Sequence, residues 1–311
     1  MAPWRAALNI ARFALAVPRA ATIVRRFRPD VVLVGGGYVC APVAVAAWLL
    51  RVPVLTLCVD VVPGWAVRLA ARLSARVATA FASSLPLLPA EGTSVTGYPV
   101  REAFLRADRD TARRRFNLPP DAPVVLVFGG SLGARAINRA VVGALDQVLP
   151  VAHVLHVTGR ADDAEPAPSR PLSEGMAARY HRYTYLDADD MADALAAADL
   201  AVCRAGAATM AELPIVGVPA VLVPGEFSAQ EGNARSLAGA GAAVVILDRE
   251  LTSPRLAAET LALLRDTERL AAMAAACRAL AHRGAAAAVA ALVREAAGHR
   301  AGNGGPVVSD E

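Results

Sequence analysis

The sequence contains no lysine, and all 32 of its lysine-plus-arginine cations are arginines. Against 28 acidic residues they leave a formal net charge of only +4. They are scattered, with no interleaved aromatic stripe, so the charge pattern does not describe a nucleic-acid surface. Cysteine is equally sparse. Cys40, Cys58, Cys203 and Cys277 lie far apart, and no C-x-x-C pair occurs. That spacing excludes a disulfide-stapled miniprotein, a dithiol redox motif and a cysteine metal cluster, and it fits a reducing compartment. There is no H-E-x-x-H, no kinase loop and no lysine-bearing phosphate loop. A G-x-G-x-x-G fingerprint is also missing, which disfavours a nicotinamide-dependent enzyme. None of the five histidines (His153, His156, His181, His282, His299) stands where a catalytic base is expected, and each reads as structural.

What is present is apolar. Hydrophobic residues make up 55% of the 311, charged residues 19% and aromatics 5%. Mean hydropathy is +0.41, which excludes a disordered chain. The length suits one large or two modest domains. Two stretches bear on the membrane question. Residues 1–28 are apolar but studded with arginine and interrupted by Pro18, a pattern that predicts two short amphipathic helical pieces rather than a signal peptide. Residues 31–50 carry no charge, about the length needed to span a bilayer. Gly35, Gly36, Gly37 and Pro42 cut that run, so it reads as a buried strand, a glycine turn and a helix. Peripheral contact through the basic, apolar N-terminal segment remains the membrane reading.

Short β-branched runs alternate with helical patterns along the chain. The expected strands are 31–34, 54–59, 76–81 and 94–96, then 124–128, 153–157, 180–185, 200–203, 220–223 and 243–247. This alternation predicts an α/β protein with parallel sheets and helices on both faces. The charged stretch 101–123, ending in Pro119-Pro120-Asp121-Ala122-Pro123, marks a boundary. The expected organisation is residues 1–103 as a first domain and 104–285 as a second, with 286–298 a helix packing back on the first and 299–311 a disordered tail. Ligands of open α/β sheets bind beyond the carboxyl ends of the strands, so the motifs are sought there.

The strongest is Gly129-Gly130-Ser131-Leu132-Gly133-Ala134, which follows an apolar strand and opens a helix. Glycines let a backbone approach a ligand closely, and a helix N-terminus offers unpaired N–H groups to an anion. Arg204 to Glu212 again joins a strand to a helix. Glu212 there suits a pair of vicinal hydroxyls, although taken alone it reads slightly better as a helix-start glutamate. Gln230 and Asn233 share one helix face and suit sugar hydroxyls, or equally cap the helix. Gly36-Gly37-Tyr38 is a further glycine turn in the first half, and Arg101 stands at the junction. Arg101 suits a phosphate, or is a surface charge on the basic linker.

In this order and spacing the motifs resemble those of the MurG-type UDP-N-acetylglucosamine transferases of glycosyltransferase family 28. The similarity rests on Pro29-Asp30-Val31-Val32, Gly36-Gly37-Tyr38-Val39, Pro63-Gly64, Gly97-Tyr98-Pro99-Val100-Arg101, the 129–134 loop, His156-Val157-Thr158-Gly159, Asp190-Met191, 198–213 and Gln230 with Asn233-Ala234. It extends from about residue 20 to 265. It implies a GT-B fold, two Rossmann-like domains facing a cleft. It further implies inverting transfer of N-acetylglucosamine from UDP-N-acetylglucosamine to a polyprenyl-diphosphate-linked muramyl-peptide acceptor, with no cofactor and no metal. The place implied is the cytoplasmic face of the bacterial plasma membrane, against its inner leaflet. By the same resemblance, Gly130 and Ser131 meet the diphosphate, and the backbone at Leu186 reads uracil. Ala207, Ala208, Thr209 and Met210 form the loop beside Glu212, which takes the ribose. Gln230 and Asn233 hold the sugar, Arg101 lies beside the donor, and Gly36, Gly37, Tyr38 and Asp60 face the acceptor.

Two departures accompany the resemblance. The family begins with a strand and a glycine-rich loop ending in a histidine that is a base candidate, and this sequence starts after that unit. The first domain is therefore expected to be truncated, with a partner chain as one source of the absent unit. The family's His-Glu-Gln-Asn-like run is here Leu57-Cys58-Val59-Asp60, which leaves Asp60 as the carboxylate candidate for catalysis. A related transferase with another acceptor, or a UDP-sugar-binding chain without turnover, are the alternative expectations.

Overall fold

In a computed structural model the described residues are 3–161, 171–226 and 229–303. They divide into two compact units, 1–99 with 284–311, and 100–283.

The first unit begins with α1 (Pro3–Phe27), followed by β1 (Val32–Val34), α2 (Cys40–Leu49), β2 (Val54–Cys58), α3 (Trp65–Arg72), β3 (Arg76–Thr79) and β4 (Thr93–Val95). The strands form one parallel sheet in the order β1-β2-β3-β4. β2 is buried without alternation because both of its faces are covered, as a central parallel strand requires. The uncharged 31–50 run resolves into β1, a turn and α2. Gly36 (φ +113°) and Gly37 (φ +72°) adopt backbone angles that L side chains rarely reach, so no continuous helix passes through them. No helix among the described residues is long and apolar enough to cross a membrane.

The expectation of two helical pieces in residues 1–28 is corrected. Pro3–Phe27 forms one helix with Pro18 inside it. A mid-helix proline costs about 3 kcal/mol. Packing of α1 against α2, through buried Ala20 and Val24, offsets that cost.

The second unit contains α4 (Glu102–Arg106), α5 (Arg109–Arg115), β5 (Val124–Phe128), α6 (Arg135–Val142), α7 (Leu145–Val148), β6 (His153–Val157), α8 (Glu174–Ala177) and β7 (Tyr180–Tyr183). α9 (Ala188–Ala197), β8 (Leu200–Cys203), α10 (Ala207–Val216), β9 (Ala220–Leu222), α11 (Gln230–Gly239), β10 (Ala243–Val245), α12 (Ser253–Arg265) and α13 (Thr267–Ala279) complete it. Its six parallel strands run β10-β9-β8-β5-β6-β7. Connections from β5 proceed to one side and those from β8 to the other. The carboxyl ends of β5 and β8 therefore form the topological switch point at which such sheets bind ligands.

The charged stretch 101–123 is part of this unit, not a boundary. α4 packs against α9 and α10, so the division falls after Pro99 rather than after residue 103. Arg113 is 2% exposed. Its guanidinium donates to the carbonyls of Pro119 (2.9 Å), Ala122 (3.0 Å) and Ala197 (3.2 Å) and to Asp199 Oδ2 (2.8 Å). The same carboxylate oxygen accepts the Val124 amide at 2.8 Å, which fixes the start of β5. The prolines that read as a linker are thus held against the sheet by one buried cation.

The chain then returns to the first unit as α14 (Ala285–Asn303), which lies on β2 and β3. Val289, Leu292 and Val293 pack with Leu55 and Ala78, and Arg76 pairs with Glu295 at 2.6 Å. Residues 299–303, expected in a disordered tail, continue this helix. Residues 304–311 lie outside the described residues.

Candidate functional site

At the carboxyl ends of β5, β6, β7 and β8, the second unit encloses a cavity of about 230 Å³. Seven of the residues singled out in the sequence line it: Arg101, Gly130, Ser131, Leu186, Ala208, Thr209 and Glu212. Phe128, Val157, Tyr185, Asp187 and Met191 complete the lining. A larger cavity, about 510 Å³, opens at the amino ends of β8 and β9. Size does not decide between them. Of the two, the smaller one has the glycine loop and the switch-point position.

The glycine loop is shaped by backbone contact with the segment after β6. Arg160 N donates to Ser131 O at 3.1 Å, Ala161 N to Leu132 O at 3.2 Å, and Gly133 N to Gly130 O at 3.0 Å. Gly159 has φ +91°, and a Cβ there would stand 2.1 Å from Gly133 N. Two loops approach this closely only because both carry glycine where they meet.

Behind them lies a buried polar network. His156, 1% exposed, meets Tyr180 Oη through Nδ1 at 2.9 Å and Asn138 Oδ1 through Nε2 at 3.1 Å. Asn138 Nδ2 donates to Thr158 O at 2.9 Å. With its amide nitrogen committed there, the Asn138 oxygen must accept, so His156 carries its proton on Nε2 and accepts the Tyr180 hydroxyl. Burial pushes the His156 pKa down to about 4, which keeps the ring neutral. The chain order His156, Thr158, Gly159 thus ties α6 to the loop that braces the glycine turn.

On the opposite wall, Glu212 is buried one and a half turns into α10, and its Oε1 accepts from Arg101 Nη2 at 3.0 Å. Burial raises the carboxyl pKa, and the Arg101 contact lowers it less than burial raises it. Arg101 also rests over the Phe104 ring at 5.0 Å. Asp187 caps α9, accepting the amides of Asp189 (3.0 Å) and Asp190 (2.9 Å).

The other candidates lie elsewhere. Ala207 opens α10, while Met210 points into the core at 1% exposure. Asn233, expected at the sugar hydroxyls, has a fully buried side chain that donates to Ala205 O at 3.1 Å. It braces the turn into α10 from behind. Gln230 Oε1 accepts the Gly225 amide at 3.0 Å. Phe227 and Ser228 of the same motif lie outside the described residues. In the first unit, Tyr38 is 78% exposed and tilts against Trp65 with ring centres 6.2 Å apart. It follows the Gly36-Gly37 turn. The Asp60 carbonyl accepts from Cys58 Sγ and Ser84 Oγ, each at 3.3 Å.

Sequence reasoning missed Tyr185 and Asp187. Asp187 was discoverable as an N-cap aspartate before a helical pattern. Tyr185 carried no signal beyond its place at the end of a strand.

Residues 124–289 match the model of the glycosyltransferase family 28 C-terminal domain, and residues 3–79 that of its N-terminal domain. The chain belongs to glycosyltransferase family 28, in its MurG-type branch. A UDP-N-acetylglucosamine–N-acetylmuramyl-(pentapeptide) pyrophosphoryl-undecaprenol N-acetylglucosamine transferase from Roseiflexus sp. (strain RS-1) is 42% identical over 276 residues, covering 78% of this chain. The chain spans 63% of that relative's length. The Frankia casuarinae protein of the same name is 40% identical over 301 residues, covering 93% of this chain and 77% of its own. Among solved structures, the MurG of Acinetobacter baumannii superposes with a TM-score of 0.68 at 28% identity, over 90% of this chain and 77% of that one. A UDP-GlcNAc 2-epimerase from Neisseria meningitidis, bound to UDP-GlcNAc, has a TM-score of 0.66 at 14% identity, over 91% and 81% of the two chains. That likeness concerns the fold alone.

Proposed function

We propose that the chain acts as an inverting glycosyltransferase that moves N-acetylglucosamine from UDP-N-acetylglucosamine to a lipid-linked muramyl-peptide acceptor. The observation that carries this reading is the 230 Å³ cavity at the switch point, with Ser131 and Gly130 on one wall and Glu212 on the other. Two helices, α6 and α10, begin at its rim. Their unpaired N–H groups and positive dipole ends suit a diphosphate. As the acceptor oxygen attacks C1 and the bond to the diphosphate breaks, negative charge grows on the leaving UDP. Fixed dipoles already aimed there stabilise it without reorganising.

In this reading Ser131 donates to a phosphate oxygen, the Leu186 backbone pairs with uracil, and Ala208 and Thr209 border the nucleotide. Glu212 accepts two ribose hydroxyls, and Arg101 holds that carboxylate in place. Gln230 faces the sugar, while Asn233 supports the turn into α10. Gly36, Gly37, Tyr38 and Asp60 belong to the acceptor side, with Asp60 the proton acceptor for the attacking hydroxyl. The acceptor's polyprenyl chain stays in the bilayer, so the enzyme works at a membrane surface. α1 supports this with exposed Leu15, Ile23 and Phe27 among Arg19, Arg25 and Arg26.

Calorimetry with UDP-N-acetylglucosamine and ADP-glucose tests the donor, and transfer to a short-chain lipid I analogue tests the acceptor. The uridine donor should bind selectively. Glu212→Ala should cost about 1.5–3 kcal/mol, as for hydrogen bonds to a charged group. Equal binding of ADP-glucose, or undiminished binding by Glu212→Ala, would overturn the donor assignment.

A further inference from the structure

The cavity's electrostatics are unbalanced. Its charged lining side chains are Arg101, Asp187 and Glu212, one cation against two carboxylates, and the cation is already bound to Glu212. A nucleoside diphosphate brings two negative charges of its own. Helix ends compensate about half a charge each, so the donor proposed above calls for a further cation.

Arg160 is not one of the lining residues, but it adjoins two of them, Ser131 and Tyr185. Its amide donates to Ser131 O at 3.1 Å, which ties its backbone to the middle of the glycine loop. Its guanidinium carbon lies 3.8 Å from the centre of the Tyr185 ring, and Tyr185 lines the cavity. Arg160 is exposed, and among the described residues it has no carboxylate partner. An arginine stacked on an aromatic face is held at low entropic cost, and its five N–H donors remain directed outward in the ring plane. Other arginines of the unit are committed: Arg113 to Asp199, Arg115 to Asp193, and Arg204 to Asp248.

We propose that Arg160, poised on Tyr185, is a diphosphate-binding residue of the donor site. It donates to the phosphate oxygens opposite Arg101 and neutralises charge on the departing UDP. Tyr185 is its positioning residue, fixing the guanidinium over the cavity mouth. This inference rests on the donor reading above and deepens it.

The test is calorimetry with UDP and with uridine, on wild type, Arg160→Ala, Arg160→Lys and Tyr185→Leu. An ion-assisted contact is worth about 10- to 100-fold in affinity. Arg160→Ala should weaken UDP by that factor, leave uridine unchanged and flatten the salt dependence of UDP binding. Arg160→Lys should recover part of the loss, since it keeps the charge without the planar fork. Tyr185→Leu should weaken UDP less than Arg160→Ala does. Unchanged UDP affinity in Arg160→Ala, or an equal loss of uridine, overturns the role of Arg160 alone. Failure of wild type to bind UDP overturns the donor reading with it. Arg160 is exposed, so thermal unfolding of the variants should match wild type, and a large drop would count against a purely binding role.

Discussion

Acid should loosen the second unit through one buried imidazole. His156 is held neutral, with a pKa of about 4 against an ordinary 6.5, because burial removes the water that its cation would need. Between those two values the unfolded chain takes up a proton that the folded unit refuses. Stability is therefore fully present above about pH 6.5 and is lost as pH falls toward 4. Each pH unit of difference is worth about 1.4 kcal/mol, so the full window is worth about 3 kcal/mol. Protonation would also put a donor on Nδ1, where the Tyr180 hydroxyl now donates, and that hydroxyl would have to turn. Hydrogen exchange of the β5 and β6 amides at pH 7 and pH 4.5 reads the opening energy of this unit directly. Carboxylates and the His153–His181 pair titrate too, so the decisive quantity is the comparison with His156→Gln, which cannot titrate. Wild type should lose about 2–3 kcal/mol more than the variant across this interval. Equal losses would refute the claim that His156 is buried neutral behind the glycine loop.

Two further outcomes follow from the same structure. Gly159→Ala would force a Cβ to within 2.1 Å of Gly133 N at a φ of +91°. The glycine loop must shift, and UDP affinity should fall by up to about 100-fold while exchange protection in the first unit is unchanged; retained affinity would show that the loop contact is not what shapes the site. Vesicles containing anionic lipid should sediment the protein, and about 1 M salt should release it, because attraction between the arginines of α1 and the lipid is screened. Binding that ignores both lipid charge and salt would remove α1 as an electrostatic contact.

The sheets were legible because their physics is local. Central parallel strands must be apolar on both faces, so 124–128, 153–157 and 200–203 could be read without knowing their neighbours, and β5, β6 and β8 occupy those residues. The glycine loop was legible for the same reason, since a tight strand-to-helix turn states its requirement in glycines. Residues 101–123 misled because composition records polarity, not partners. Arg113 and the prolines after it look like a solvated linker until Asp199, 86 residues away, supplies the buried counter-charge. Pro18 misled in the opposite way. Its local rule is real, but tertiary packing of α1 on α2 outweighs it.

Asn233 and Arg160 show the same limit within the site. Spacing placed Gln230 and Asn233 on one helix face, and that is as far as periodicity reaches. Which side of the helix meets the core depends on how α11 settles on the turn after β8, where Ala205 O needs a donor. A buried carbonyl without a partner would cost about 1–3 kcal/mol, so Asn233 is drawn inward. Arg160 is the converse. It directly follows the His156-Val157-Thr158-Gly159 motif, but only the fold brings it over Tyr185 and beside Ser131. Its importance follows from a deficit elsewhere. Arg101, the cation that sequence reasoning assigned to the donor, is occupied by Glu212. Charge demand at the diphosphate is a property of the assembled cavity, and it can be assessed only after every nearby ion pair has been assigned.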